Sequence, residues 1–286
     1  MLSRLRTYAS FVRFSHSVFA LPFALAGALL AAQRAPVTAT KVTWILVAMV
    51  AARSAAMGFN RLADARYDAL NPRTANRELP RGAMTVREAT WFVVVSSLGF
   101  MVASWALGTL CFALSPVALA IVFWYSLAKR YTTWTQLFLG LAMAVAPVGG
   151  WLAVGGRGGW EPWLLALAIG AWVGGFDVLY ACQDIEYDKS AGLFSVPKRF
   201  GIARALAIAR AMHAVMIALL GWLAWSFHLT WPAWLGIAVV AALLAYEDSL
   251  VSPDDLSRMN AAFFTVNGYI SLLFLLFWGA AVAVAH

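Results

Sequence analysis

The chain reads as an all-α polytopic membrane protein, a bundle of about nine transmembrane helices. Three observations predict that class. Of 286 residues, 63% are hydrophobic and only 12% charged, against about a quarter charged in an ordinary soluble domain. Apolar windows of about twenty residues, enough to cross a hydrocarbon core, recur along almost the whole sequence. Lys and Arg segregate to alternate connections between those windows, as cytoplasmic loops require. Helices are the expected element because lipid cannot satisfy free backbone amides and carbonyls.

The spans fall at about 15–33, 41–62, 87–107, 109–128, 133–153, 161–183, 203–226, 231–247 and 260–285. The first follows Arg4, Arg6 and Arg13 and contains small residues, as a signal peptide would, but its length and the eight similar runs after it favour a retained helix. The second runs into the polar stretch 61–88, and Gly108 marks the break between the third and fourth. Lys129 and Arg130 close the fourth; "GWEPW" opens the sixth and "TWPAW" the eighth, reading as aromatic anchors at the outer interface, as do most of the fourteen Trp residues. No hydrophilic stretch is long enough to fold by itself, so residues 1–286 are expected to form a single membrane domain.

With the N-terminus cytoplasmic, 17 of the 21 Lys and Arg residues lie inside, three (Arg34, Lys41, Arg157) lie outside, and Arg53 lies within a span. Topology and anionic lipid thus account for the net charge of +8, and no nucleic-acid partner is implied. The expected location is the inner, cytoplasmic membrane. Cys111 and Cys182 belong near opposite ends of spans, which argues against a disulfide.

The longest polar segments, about 61–88, 184–203 and 247–260, all fall on the cytoplasmic side. Two of them echo one another. Asn60 and Asp64 recur 124 positions later as Asp184 and Asp188, each pair closing an inward-running span and preceding a loop with Pro, basic residues and Gly ("LPRG", "VPKRFG"). On an α-helix residues four apart share a face, so Asn60, Asp64 and Asp68 form one oxygen stripe and Asp184 and Asp188 a second, with Asp177 two turns deeper. Such carboxylates repel and need cations nearby. The lack of interleaved His or Cys argues against zinc; oxygen ligands suit a hard cation, and Mg²⁺ typically takes one or two carboxylates plus phosphate oxygens. Two facing stripes could therefore hold a diphosphate through Mg²⁺, aided by basic residues that follow them, among them Arg73, Arg77, Lys129 and Lys198.

"NRLADARYDALNPRTANRELPRG" (60–82) resembles the NDxxDxxxD signature of the UbiA superfamily of intramembrane aromatic prenyltransferases, and "DIEYD" resembles its second, DxxxD signature. "YSLAKR" at 125–130 and the nine expected spans extend the likeness over essentially the whole chain; Arg61 departs from it, standing where many members have Asp. "FSHSVFALPFALAGALL", "NPRTANRELP" and "ACQDIEYDKSAGLFSVPKRFG" are most similar to the 4-hydroxybenzoate polyprenyltransferase-like branch, many of whose members serve the futalosine route to menaquinone.

The resemblance implies a UbiA-like bundle with its active site at the cytoplasmic side, and Mg²⁺-dependent transfer of a polyprenyl group from its diphosphate to an aromatic hydroxy acid. Both 4-hydroxybenzoate, for ubiquinone, and 1,4-dihydroxy-6-naphthoate, for menaquinone, stay open as acceptors. Asn60, Asp64, Asp68, Asp184 and Asp188 are expected to hold metal and diphosphate, with Arg73, Lys129 and Lys198 in direct contact. Arg13, His16 and Arg53 are candidates for the acceptor. Arg53 lies on the face of Asn60 two turns deeper, where it either receives an aromatic carboxylate or pairs with Asp177 as a structural lock. Transporters or binding proteins for anionic substrates are the alternative class, but their sites lie near the midplane, whereas these acids cluster at helix ends beside basic loops.

Overall fold

The computed structural model describes residues 7, 10–11, 21–32, 35–156, 158–259 and 265–284. Its helices are α1 (Leu21–Ala32), α2 (Ala39–Leu70), α3 (Val86–Leu107), α4 (Thr109–Ala128), α5 (Thr135–Val154), α6 (Glu161–Ala181), α7 (Ile185–Ser190), α8 (Val196–Phe200), α9 (Ile202–Ser226), α10 (Trp231–Ser249) and α11 (Asn267–Val284). No β-strand occurs among the described residues.

Local signals set the helix ends. Thr38 caps α2, its hydroxyl accepting from Lys41 N at 3.3 Å. Thr85 and Glu88 form a reciprocal capping box on α3, each side chain satisfying the other's backbone amide. Gly108, at φ 140°, ends α3 and starts α4 in a backbone region that other residues rarely adopt. The short connections make consecutive long helices antiparallel neighbours. Helix α5 is the hub, packing on α1, α4 and α6; α2 packs on α3, α6 on α9, and α10 and α11 close the bundle back onto α1.

Close crossings are built on glycine. A Cβ on Gly150 of α5 would lie 1.9 Å from Ala24 O of α1, and one on Gly140 would lie 2.3 Å from Gly170 O of α6. Backbones approach there because no side chain intervenes, as in membrane helix pairs generally. At the α1–α6–α11 junction Phe23 packs 5.0 Å from Trp172 and 5.3 Å from Phe274, which meets Trp278 at 5.0 Å. Trp151, Trp172 and Trp278 are thus core residues rather than interfacial anchors, while Trp160, Trp163, Trp231 and Trp234 are exposed, as expected for "GWEPW" and "TWPAW".

Seven helices are long and apolar enough to cross a membrane among the described residues: Ala39–Leu70, Val86–Leu107, Thr109–Ala128, Thr135–Val154, Glu161–Ser190, Ile202–Ser226 and Asn267–Val284. The other two expected spans correspond to α1, described over 12 residues, and to α10, whose ends carry Trp231, Trp234, Glu247 and Asp248 and so dilute its apolar character. Val95, Leu98, Val102, Leu272 and Leu276, on helices long enough to cross a membrane, are exposed on the outside of the bundle and offer apolar surface to lipid. The 32 residues of α2 span about 48 Å at the α-helical rise, against about 30 Å of hydrocarbon. The last turns of α2 therefore emerge from the apolar layer, and they carry Asp64 and Asp68.

Candidate active site

At the end of the bundle where α2, α4 and α6 finish, two carboxylate clusters meet. In the first, Asp64 is almost wholly buried, its side chain 3% exposed, and Lys129 at the end of α4 donates to its Oδ2 at 2.6 Å. Arg130 lies 3.6 Å from Asp64 Oδ1 and also donates to Ala63 O. Asn60 Nδ2 donates to Asp64 Oδ2 at 3.1 Å and to Ser126 Oγ at 3.3 Å. One turn on, Asp68 accepts two bonds from Arg77, at 2.7 and 2.8 Å. The Asn60–Asp64–Asp68 stripe thus exists as expected, each acid with its own cation.

The second cluster differs from the regular stripe expected. The chain tightens into a 3₁₀ turn at Cys182–Asp184 before α7, so Asp184 and Asp188 do not sit on one continuous α-helix. A 3₁₀ turn changes both rise and rotation per residue, and the two carboxylates take different partners. Asp184 accepts Arg73 Nε at 3.1 Å and a terminal guanidinium nitrogen at 2.6 Å. Asp188 accepts Ser195 Oγ at 2.7 Å.

Arg73 joins the two clusters. It follows α2, grips Asp184 after α6, and donates to the Tyr180 hydroxyl at 3.0 Å. Burial disfavours its charge, but Asp184, Tyr180 and Asp68 together hold the guanidinium above its ordinary value. Tyr187 adds a second bridge, its hydroxyl donating to Tyr67 O at 2.6 Å. Arg130 is expected beside Lys129 among the basic residues of this face, whereas Tyr180 and Tyr187 carry no signal in "YACQDIEYD", because their partners Arg73 and Tyr67 come from distant segments.

Lys198, expected at the diphosphate, instead donates to Leu193 O at 2.5 Å and Asp188 O at 3.1 Å. These two bonds tie the start of α8 to the loop that follows Asp188. Arg53 and Asp177 form no ion pair, so the structural lock is absent; both side chains instead line one cavity. Arg61, at the position where the family often has Asp, is buried and donates its Nε to Phe11 O at 3.4 Å, tying α2 to the N-terminal segment. Arg13 and His16 lie outside the described residues. Cys111 and Cys182 are both free, as expected.

Below the clusters opens an apolar cavity of about 1100 Å³ between α2, α3, α4, α5, α6 and α9. Arg73, Arg77 and Asn60 stand at its mouth; Ala52, Ile121, Ala142, Val145 and Gly170 are among its walls. Polar groups at one end of a long hydrocarbon-lined space fit an amphiphile with an anionic head. The oxygen-only donor set fits a hard divalent cation. No group of three or more His, Cys, Asp or Glu could hold a metal ion by itself among the described residues; Mg²⁺ typically takes one or two carboxylates and completes its shell with phosphate oxygens and water.

This pairing of a helical membrane bundle with acid–base clusters at the mouth of an apolar cavity defines an intramembrane enzyme that handles a charged head and a greasy tail. A family profile described as "UbiA prenyltransferase family" matches residues 20–273, and the chain belongs to that family. It is 34% identical over 245 residues to the 4-hydroxybenzoate octaprenyltransferase of Citrobacter koseri, covering 84% of this chain and 83% of the relative. The enzyme of the same name from Salmonella paratyphi B is 33% identical over 248 residues, covering 85% and 84%. Among solved structures, a UbiA homologue from Aeropyrum pernix K1 superposes with a TM-score of 0.85 at 34% identity, covering 95% of this chain and 98% of its own. A homologue from Archaeoglobus fulgidus bound to GPP and Mg²⁺ shares the fold, with a TM-score of 0.77 at 22% identity, covering 97% and 99%. The alternative of a transporter is set aside by this membership.

Proposed function

We propose that this protein transfers a polyprenyl group from its diphosphate to a ring carbon of an aromatic hydroxy acid, at the cytoplasmic face of the inner membrane, with residues 1–286 acting as one domain and the N-terminus cytoplasmic. The observation that carries the reading is the Arg73–Asp184 bridge: it draws the two carboxylate clusters together at the mouth of an apolar cavity. The names of the curated relatives point to 4-hydroxybenzoate as acceptor, and the Archaeoglobus fulgidus structure with GPP and Mg²⁺ supports a metal-assisted diphosphate site.

In this reading Asp64 and Asp68 with the side-chain oxygen of Asn60 on one side, and Asp184 and Asp188 on the other, would each offer Mg²⁺ one or two carboxylates, the rest of its shell coming from phosphate oxygens and water. The metal supplies positive charge that stabilises the departing diphosphate. Lys129, Arg130, Arg73 and Arg77, now paired with the acids, turn toward phosphate oxygens, which accept charge-assisted hydrogen bonds as carboxylates do. The prenyl chain lies along the apolar walls, which exclude water from the reacting carbon and so protect the allylic cation from hydrolysis. Arg53 receives the acceptor's carboxylate; its Nε is buried and has no hydrogen-bond partner, and a guanidinium recognises a carboxylate bidentately.

The test is a purified sample in lipid with Mg²⁺, a prenyl diphosphate and a panel of acceptors that includes 4-hydroxybenzoate and 1,4-dihydroxy-6-naphthoate, read by mass spectrometry. One acceptor should gain a prenyl mass with stoichiometric diphosphate release. No prenylated product across the panel would overturn the reading.

A further inference from the structure

Resting on the prenyl-transfer reading, we infer that Asp177 is the group that accepts the acceptor's hydroxyl proton, opposite Arg53 as carboxylate receptor. Asp177 is on α6, nearly two turns before Asp184 and deeper in the bundle, and it lines the cavity together with Arg53 and Tyr125. Neither Asp177 nor Arg53 has a side-chain hydrogen bond or an ion pair among the described residues. They do not pair with each other, although both face the same space. Every other acid of the site is engaged: Asp64 with Lys129, Asp68 with Arg77, Asp184 with Arg73, Asp188 with Ser195.

A separated cation and anion in an apolar cavity are costly unless a ligand offsets both. The ligand this arrangement fits carries a carboxylate at one end and a hydroxyl at the other across a flat apolar body, which is an aromatic hydroxy acid. The groups around Asp177 suit proton transfer from such a ligand. Arg53 and Asn60 of α2, Tyr125 of α4 and Tyr180 of α6 line the cavity with Asp177, while Lys129, just after α4, and Asp184, in the turn after α6, are the charges that act on it. The adjoining cavity walls from α5 and α9 are apolar there, with Leu137 and Met212 among them.

In the balanced step the allylic C–O bond breaks and its electron pair leaves with the diphosphate. As the ring carbon ortho to the hydroxyl forms the new C–C bond, the hydroxyl O–H proton passes to an Asp177 carboxylate oxygen, leaving a neutral dienone. The proton on the substituted ring carbon then goes to the released diphosphate, and Asp177 returns its proton to the ring oxygen. The net products are the prenylated phenol and protonated diphosphate. Asp177 carries charge away from the ring just when the ring must act as nucleophile.

The deciding experiment compares wild type with Asp177→Asn and Asp177→Glu on 4-hydroxybenzoate and on 3-fluoro-4-hydroxybenzoate, whose hydroxyl is more acidic and which keeps one free ortho carbon. Mg²⁺-dependent binding of the prenyl diphosphate is measured in parallel as a check on folding. With 4-hydroxybenzoate, Asp177→Asn should lose about 100-fold in kcat, within the usual range for a positioned base, with diphosphate binding unchanged. The gap to wild type should narrow to under about 10-fold on the fluorinated acceptor, because a pre-ionised hydroxyl needs no base. Asp177→Glu should recover part of the rate. Equal losses on both acceptors, or full activity of Asp177→Asn, would overturn the assignment while leaving prenyl transfer standing. If wild type itself prenylates neither compound nor any other aromatic acid, the underlying reading fails and this inference goes with it.

Discussion

Replacing Lys129 by Met isolates what the buried Asp64 carboxylate costs. Lys129 Nζ is 2.6 Å from Asp64 Oδ2, and the Asp64 side chain is only 3% exposed. Removing one partner of a fully buried ion pair costs about 3–5 kcal/mol, chiefly because the remaining charge is left without compensation. Here Lys129 is 29% exposed and Arg130 stays 3.6 Å from the other oxygen, so the discounted loss is about 2 kcal/mol. That corresponds to an apparent Tm lower by about 4–8 °C in a chain of this size. Adding Asp64→Asn should return most of that loss, because a neutral amide needs no counter-charge. Activity should follow the opposite logic: the double variant, lacking both the proposed metal ligand and the proposed phosphate contact, should be less active than either single one. The assay is thermal unfolding in nanodiscs at one scan rate, beside steady-state kinetics on the prenyl diphosphate. A double variant no more stable than Lys129→Met would refute the view that Asp64 is the charge Lys129 holds in place.

Other parts of the site and its frame yield further expectations. Arg73→Lys keeps the charge but loses the fork onto Asp184 and the Tyr180 contact; kcat/KM for the prenyl diphosphate should fall about tenfold with little change in Tm, since the pair is partly exposed, and unchanged kinetics would remove Arg73 from the site. Gly150→Ala would set a Cβ 1.9 Å from Ala24 O, whereas Gly149→Ala meets nothing within 4 Å, so only the former should destabilise, by about 1–3 kcal/mol; similar Tm values for the two would contradict the close α1–α5 crossing. Asn267→Ala strips partners from Trp172 Nε1 and Glu247 Oε1, each bonded at 2.8 Å, and should cost about 1–3 kcal/mol in thermal denaturation; a neutral effect would show that the buried chain is dispensable. In calorimetry Mg²⁺ should bind at least about tenfold more tightly in the presence of a prenyl diphosphate than alone, and equal affinities would argue against a shared site.

How far the sequence reached follows from how local each cause was. Asn60, Asp64 and Asp68 could be placed on one face because α2 is a regular helix through Leu70 and four-residue spacing is a local property. The 3₁₀ turn at Cys182–Asp184 was not readable: no Pro or Gly marks it, and the tightening accompanies tertiary contacts such as Arg73 to Asp184 and Tyr187 to Tyr67 O. Helical phase brought Arg53 and Asp177 to the same cavity but could not tell whether they touch, because the gap between α2 and α6 is set by the helices between them. Lys198 shows the reverse case, a basic residue in the expected loop whose ammonium the fold turns toward carbonyls. Trp151, Trp172 and Trp278 sit in the core instead of the interface, and composition alone does not distinguish a lipid-facing aromatic from one wedged between helices.

Under the proposed function, the charge arrangement favours joint entry of metal and diphosphate. Asp64, Asp68 and Asp184 are each matched by a cation, Lys129, Arg77 and Arg73, so the paired part of the site is close to electroneutral. A divalent cation entering alone must separate acids from bases and leave the bases stranded at the edge of the apolar layer. A diphosphate entering alone must separate the same pairs and leave the acids stranded, and Asp64 is too buried to be rescued by water. If both entered, the acids would face the metal and the bases the phosphates, so each set would exchange one partner for another instead of being stranded. Selectivity for a diphosphate carrying a hydrocarbon tail then needs no further polar reader, because the space that opens beside this exchange is the apolar cavity between α2 and α6.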